Sequence, residues 1–252
     1  MRICVCFVTV LRYAPNHINI LKKSFTFFRY KIDPSTPGWR HVGLKKVLLE
    51  TIHYATPFLI LDFTTVKKYP GVNPSEWSIR RNSFIQTTRA LPQKAPSIMD
   101  IGCQLLGAFV LFDIFFCFIH YTLHRNAWLY KNIHAYHQDH NPMTAKVVNQ
   151  LSLVEEVLQI LAANEALKLV SAHPLTRTIF VPLFLVELTE NHCGYDLPWS
   201  LDKIVPFGIL GGARAHWAHH EKGARHYAPF STVIDKFILG SHKHKHISSK
   251  IR

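Results

Sequence analysis

The sequence predicts an all-α integral membrane protein with a polar, histidine-rich cap, and three observations point there. Residues 101–119 (IGCQLLGAFVLFDIFFCFI) carry one charge, Asp113, and about 20 predominantly apolar residues span the hydrocarbon core of a bilayer. Alternating runs of β-branched residues are few, so the strand signal is poor. The text between apolar segments is basic, Pro-rich or His-rich, which reads as surface loops and a cap joining helices. At 252 residues and 48% hydrophobic composition, the chain can bury a sizeable core or thread a membrane several times.

The elements follow in order. ICVCFVTVL, after Arg2, resembles a short signal h-region, but no small-residue cleavage pattern follows and nine residues cannot span; it reads as an interfacial or anchoring segment. Residues 12–45 are basic and aromatic with turn signals in DPSTPG, and residues 67–98 are polar and Pro-rich. Between them, residues 47–66 form a weaker span, interrupted by Glu50, His53 and Asp62. Residues 101–119 are the strongest span, and residues 151–170 and 179–188 are intermediate, the first broken by Glu155, Glu156 and Glu165. Polar groups at such depths are costly unless they face a protein interior, so these side chains are expected to point inward. The division expected is a basic and apolar membrane-associated region (1–98), a histidine-bearing domain (99–241) and a basic His-rich tail (242–252).

Composition narrows the partners. The formal net charge is +13 with His neutral, which favours an anionic surface, and the long uncharged runs make that surface lipid and not nucleic acid. The five cysteines (Cys4, Cys6, Cys103, Cys117, Cys193) are scattered, odd in number and mostly set in apolar text, as reduced, buried cysteine would be.

The histidines carry the chemistry. In HYTLH, His120 and His124 are i and i+4; in HAYHQDH, His134, His137 and His140 follow at intervals of three; in HWAHH, His216, His219 and His220 are i, i+3 and i+4. On helices each cluster turns its imidazoles to one side. Neutral imidazole ligates zinc, copper, iron and nickel. A zinc site needs three or four protein ligands, whereas these clusters offer eight, enough for two metal ions. HExxH is absent, because His220-Glu221 runs into Lys222-Gly223-Ala224, which removes the commonest hydrolytic zinc reading. His17, His41, His53 and His173 stand alone and read as packed or surface residues; His242, His244 and His246 read as a solvated basic tail. A ligating His usually donates its other ring N–H to a carboxylate. Asp113, two helical turns before His120, is a candidate for that role, with Asp139, Glu190, Asp196 and Glu221 as unranked alternatives.

DIFFCFIHYTLH, IHAYH, ENHCGYDLPW and HWAHH, the last followed by HYAPFSTVIDKFILGS, together resemble the membrane-bound fatty acid hydroxylase superfamily, with its sterol desaturases and hydroxylases. ENHCGYDLPWSLDKIVPFGILGG is most similar to the cholesterol 25-hydroxylase branch, and the likeness covers about residues 99–241. The resemblance implies about four transmembrane helices topped by a histidine-rich cytosolic cap, multi-pass in the endoplasmic reticulum membrane. It further implies a non-haem centre of two iron ions that uses O2 to oxidise an unactivated C–H bond of a sterol or other lipid. Carried over residue by residue, it assigns His120 and His124 to the first box, His134 and His137 to the second, and His216, His219 and His220 to the third. His192 matches the additional histidine that precedes Gly-Tyr in this branch. Electrons are expected from an external donor, since no nucleotide-binding Gly-rich fingerprint or haem motif is present and Gly211-Gly212 is too little.

Gln138 stands where the family pattern H-x-x-H-H has its final histidine. Glutamine offers one carbonyl oxygen or holds a water. His140 is about 200° further round a helix, so it replaces the lost imidazole only if the backbone there is not helical, and Pro142 favours such irregularity. Desaturation on the same site, or a non-catalytic lipid-binding protein with a decayed site, are the competing readings.

Overall fold

The computed structural model describes residues 29–34, 44–139, 143–223 and 225–239. The N-terminal apolar segment, Cys4, Cys6, His17, His41, His140, Pro142 and the 242–252 tail lie outside the described residues. Within them the fold is helical throughout, and the sole β pairings are the isolated bridges Lys31 to Tyr195 and Leu210 to Ser231.

Helix α1 (Leu44–Thr64) contains Pro57 and runs into a polar connection holding the short helix α2 (Pro74–Arg81), started by Asn73, whose side chain accepts from Ser75 N at 3.1 Å. Helix α3 (Ile98–Arg125) opens on a reciprocal cap: Ser97 Oγ accepts from Asp100 N, and Asp100 Oδ2 accepts from Ser97 N at 3.0 Å. At about 1.5 Å per residue α3 is about 42 Å long, and it is the one described helix whose length and hydropathy both suffice to cross a membrane. Asn126 ends α3 and starts the next turn, accepting from Trp128 N and Leu129 N. A π-helical turn, Tyr130–His134, then leads into α4 (Ala135–Gln138).

Helices α5 (Leu153–Leu169) and α6 (Pro174–His192) form a hairpin beside α3. Ser152 caps α5 by accepting from Glu155 N at 3.2 Å. His173 caps α6 by accepting from Leu175 N at 3.1 Å, with Pro174 at the first helical position where no N–H is missed. The cap is completed by α7 (Leu201–Ile204), α8 (Gly212–Lys222) and α9 (Thr232–Leu239).

One core joins α3, α5 and α6. Ala108 on α3 and Ala162 and Ala166 on α5 keep that pairing close, and a Cβ on Gly107 would meet Val170 Cγ1 at 2.9 Å. Phe112, fully buried, lies parallel to Phe116 (ring centroids 5.6 Å) and edge-on to Phe184 (4.6 Å), with Phe230 from the cap at 5.8 Å. This aromatic stack ends one turn below His120. It fixes the height at which α3 delivers its histidines.

Candidate dimetal site

Eight imidazoles converge as two groups of four. His120, His124, His134 and His219 form one, and His137, His192, His216 and His220 the other; within each group the candidate ligand nitrogens all lie within 4.8 Å of one another. Seven of the eight are buried and His220 is nearly so. The groups adjoin, with ring centroids of His134 and His137 5.7 Å apart and those of His219 and His220 5.9 Å apart.

Helix geometry explains the division. On α8, His216 and His220 are about 40° apart around the axis, whereas His219 lies about 60° to the other side of His216. His219 therefore faces the α3 pair, while His216 and His220 face α6. The second box divides likewise, because His134 closes the π-helical turn and His137 sits in the following α-helical one. Insertion of a π turn re-aims side chains and is frequent at functional sites.

In the first group, His134 is the hub. Its Nε2 lies 3.1 Å from His120 Nε2 and 2.9 Å from His124 Nε2, while its Nδ1 donates to Glu155 Oε1 at 2.8 Å. His120 Nδ1 donates to the Tyr227 carbonyl at 2.8 Å, and His219 Nδ1 to the Arg225 carbonyl at 2.6 Å. In the second group, His192 Nδ1 donates to the Leu188 carbonyl at 2.7 Å, and its Nε2 lies 2.8 Å from His216 Nε2, which in turn is 3.2 Å from His220 Nε2.

These contacts test whether the site suits a metal. A neutral imidazole has one N–H. Where Nδ1 spends it on an oxygen, Nε2 carries only a lone pair. His120 and His134 both do so, leaving two lone pairs facing each other at 3.1 Å with no proton between them. A cation held between the rings converts that repulsion into ligation, and imidazole suits first-row metals including iron. Burial, helped by the neighbouring imidazoles, holds His137, His216, His219 and His220 well below the usual histidine range. They are therefore neutral at pH 7, the form that ligates.

The fatty acid hydroxylase profile matches residues 105–239, just over half of the chain. The chain belongs to the fatty acid hydroxylase family. Among its relatives, human (Homo sapiens) cholesterol 25-hydroxylase is 32% identical over 243 residues, covering 81% of this chain and 89% of that protein. Cholesterol 25-hydroxylase-like protein 1, member 2, of Danio rerio is 32% identical over 152 residues, and cholesterol 25-hydroxylase-like protein 2 of the same organism is 35% identical over 140. Those two matches take in 60% and 56% of this chain, but only 55% and 50% of the relatives' own lengths. No solved structure matches the chain.

Several expectations are corrected by the geometry. Among the described residues, no histidine is bound by Asp113. Its carboxylate accepts instead from Phe230 N at 2.8 Å and Ser231 N at 2.7 Å. Asp235 similarly gathers the N–H groups of His226, Tyr227 and Ala228. The two carboxylates pin the 225–231 loop, which presents the Arg225 and Tyr227 carbonyls to His219 and His120, so Asp113 acts on His120 through the loop. Glu190 accepts from Leu201 N, Asp196 pairs with Lys203 and Arg214, and Asp139 and Glu221 are exposed.

The carboxylate that does reach an imidazole is Glu155, 1% exposed. Its signal is present but ambiguous in the text. Ser152-x-x-Glu155 reads as a capping box, and Ser152 does cap Glu155 N, but the carboxylate is diverted to His134.

Gln138 also departs from expectation. Its Nε2 donates to the His219 carbonyl at 3.0 Å and the His220 carbonyl at 3.2 Å, while Oε1 is buried without a partner. These carbonyls belong to the last turn of α8, where helix carbonyls lack intrahelical partners. Gly223, at φ 59°, ends that helix in the left-handed conformation that glycine adopts at least cost and returns its N–H to His219 O at 2.6 Å. Of the lone histidines, His53 is exposed and His173 is the α6 cap.

Proposed function

We propose that the chain is a membrane-bound non-haem diiron lipid hydroxylase, oxidising an unactivated C–H bond of a sterol or other lipid with O2 and electrons from an external donor. The observation that carries this reading is the pairing of two four-histidine groups in which His120, His134, His192 and His219 spend their Nδ1 hydrogens on Glu155 and backbone carbonyls, leaving their Nε2 lone pairs turned inward. His120, His124, His134 and His219 would hold one iron, and His137, His192, His216 and His220 the other. When bound, the irons supply the oxygen-activating redox chemistry that amino-acid side chains lack.

The protein's own part is geometric. Glu155 and the Arg225, Tyr227 and Leu188 carbonyls fix ring tautomers and orientations, as the outer partners of metal-bound histidines do. The Phe112, Phe116, Phe184 and Phe230 stack packs the apolar core beneath the site. Family membership and the names of the relatives support lipid as the substrate class. Alongside α3, helices α1, α5 and α6 are about 31, 26 and 28 Å long, close to the roughly 30 Å hydrocarbon core, which supports a four-span anchor in the endoplasmic reticulum membrane with the histidine cap on the cytosolic side.

The test is metal and product analysis together. Protein expressed with iron and purified in detergent should retain about two irons per chain, and expressing cells should accumulate a lipid carrying oxygen from 18O2. Iron near zero sinks the diiron reading; iron present with no oxygenated lipid sinks the hydroxylase.

A further inference from the structure

A partly open cavity of about 140 Å³ lies between α1, α5 and α6, and among the described residues no histidine lines it. Its middle is apolar, formed by Phe58, Ile160, Ala163 and Phe180 among others. Its two ends are not. At one end stands Glu156, 3% exposed, whose Oε2 is buried with no hydrogen-bond partner. At the other stand Lys67 and Asn164, beside the Asp62–Arg89 ion pair. Asn164 spends its Nδ2 on the Ile160 carbonyl, and among the described residues no hydrogen bond engages its Oδ1 or Lys67.

The ends can be oriented against the histidines. Glu156 follows Glu155, the partner of His134, so their Cα atoms are about 3.8 Å apart. Leu188, across the hairpin on α6, also lines the cavity, and its carbonyl holds His192. The Glu156–Leu188 end therefore faces the two histidine groups. Asn164 lies eight residues along α5, about 12 Å further away, and Tyr69, two residues past Lys67, lies under the Arg177 guanidinium (5.8 Å to the ring centroid) at the far end of α6.

An apolar tube with polar groups at both ends fits an elongated lipid alcohol whose own hydroxyl sits at the far end. There Asn164 Oδ1 can accept and Lys67 can donate. Its apolar tail then reaches toward the histidines and meets Glu156, a group with nothing to bind on an unmodified hydrocarbon. An unmatched buried polar atom calls for a partner. A hydroxyl created at that end supplies one. A ligand carboxylate does not, because it would meet the Glu156 carboxyl acid against acid.

We propose that this cavity is the lipid-binding site, that the lipid lies with its hydroxyl at Lys67 and Asn164 and its tail toward the histidines, and that Glu156 hydrogen-bonds the hydroxyl installed on that tail. The assignment rests on the lipid-oxygenase reading for the identity of its ligand, and it makes Glu156 the residue that distinguishes product from substrate.

The test is equilibrium binding of cholesterol and 25-hydroxycholesterol to detergent-purified protein, with metal counted separately. Wild type should prefer 25-hydroxycholesterol by about tenfold, one hydrogen bond's worth at about 1.4 kcal/mol. Glu156→Leu should erase the preference, Glu156→Gln should keep it, and Ala163→Phe should abolish binding of both. Equal affinities in wild type, a preference that survives Glu156→Leu, or binding that survives Ala163→Phe overturns the assignment. Should Glu156→Leu fail to fold, wild type decides: a sterol with a photoreactive group on its tail should label the Glu156 and Leu188 end, and labelling at Lys67 and Asn164 instead refutes the orientation. A protein with no iron that keeps the Glu156-dependent preference would sink the oxygenase and spare the cavity; an active, iron-loaded enzyme without the preference would do the reverse.

Discussion

Replacing Glu155 by alanine separates metal binding from folding. The carboxylate is 1% exposed, accepts from His134 Nδ1 at 2.8 Å through Oε1, and leaves Oε2 buried without a partner. Loss of such an outer partner typically weakens metal binding 10- to 100-fold, about 1.4 to 2.7 kcal/mol. His134 is the hub of its group, with Nε2 near both His120 and His124, so the loss should fall on that group. The other keeps its own support, His192 on the Leu188 carbonyl. Chelator titration of purified Glu155→Ala should remove one metal at 10- to 100-fold lower chelator and the second at the wild-type concentration. The metal-free protein should melt within a few degrees of wild type, because removing a half-satisfied buried carboxylate also removes its desolvation penalty. Glu155→Gln, which keeps an acceptor oxygen, should recover part of the affinity. If Glu155→Ala holds both metals as tightly as wild type, Glu155 does not orient a ligand.

Other perturbations follow from the same contacts. Asp113→Ala removes the acceptor for two backbone N–H groups, each bond to a charged partner being worth about 1.5–3 kcal/mol; it should lower the thermal midpoint in detergent and weaken the His120 group, while an unchanged midpoint would show that the 225–231 loop is held without it. Gln138→His should not raise metal content, since each group already has four imidazoles, and Gln138→Ala should lower retention of both metals because it frees α4 from α8; a rise in bound iron on adding the histidine would make position 138 a ligand site. Burial holds His137, His216, His219 and His220 below the ordinary value of 6.5 in the folded state. The unfolded chain thus takes up protons first, and the stability of the metal-free protein should be full above pH 6.5 and fall as pH drops below it; denaturant midpoints flat from pH 7 to pH 5 would contradict that.

Much of this was legible in the residues. Residues 101–119 announced α3 because a long apolar run with a single charge admits few alternatives, and the weaker segments likewise became α1, α5 and α6. The expectation that polar residues in those segments turn inward holds for Glu155 and Glu156, both buried, and fails for His53 and Glu165, both exposed. What escaped is tertiary. Spacing predicts which residues share a helix face, but not which neighbour that face meets, so Asp113 was assigned by periodicity to His120 whereas the chain brings it a loop more than a hundred residues away. Backbone carbonyls that orient His120, His192 and His219 leave no mark in the sequence, since every residue has one.

The histidine boxes make the same point at the level of the site. Text suggests one box per cluster of ligands, yet α8 serves both groups and the second box is shared between them. The two centres are thereby one mechanical unit, because neither can be assembled without the segment that also builds the other. Gln138 sits at the crossing of those segments, tying the end of the second box to the carbonyls of the third. A histidine offers one N–H from a neutral ring, and an amide offers two from a single nitrogen, so at this crossing glutamine can serve both carbonyls while His192 fills the second group. The residue that looks like a missing ligand in the sequence is, in the fold, a strap between the two halves of the cage.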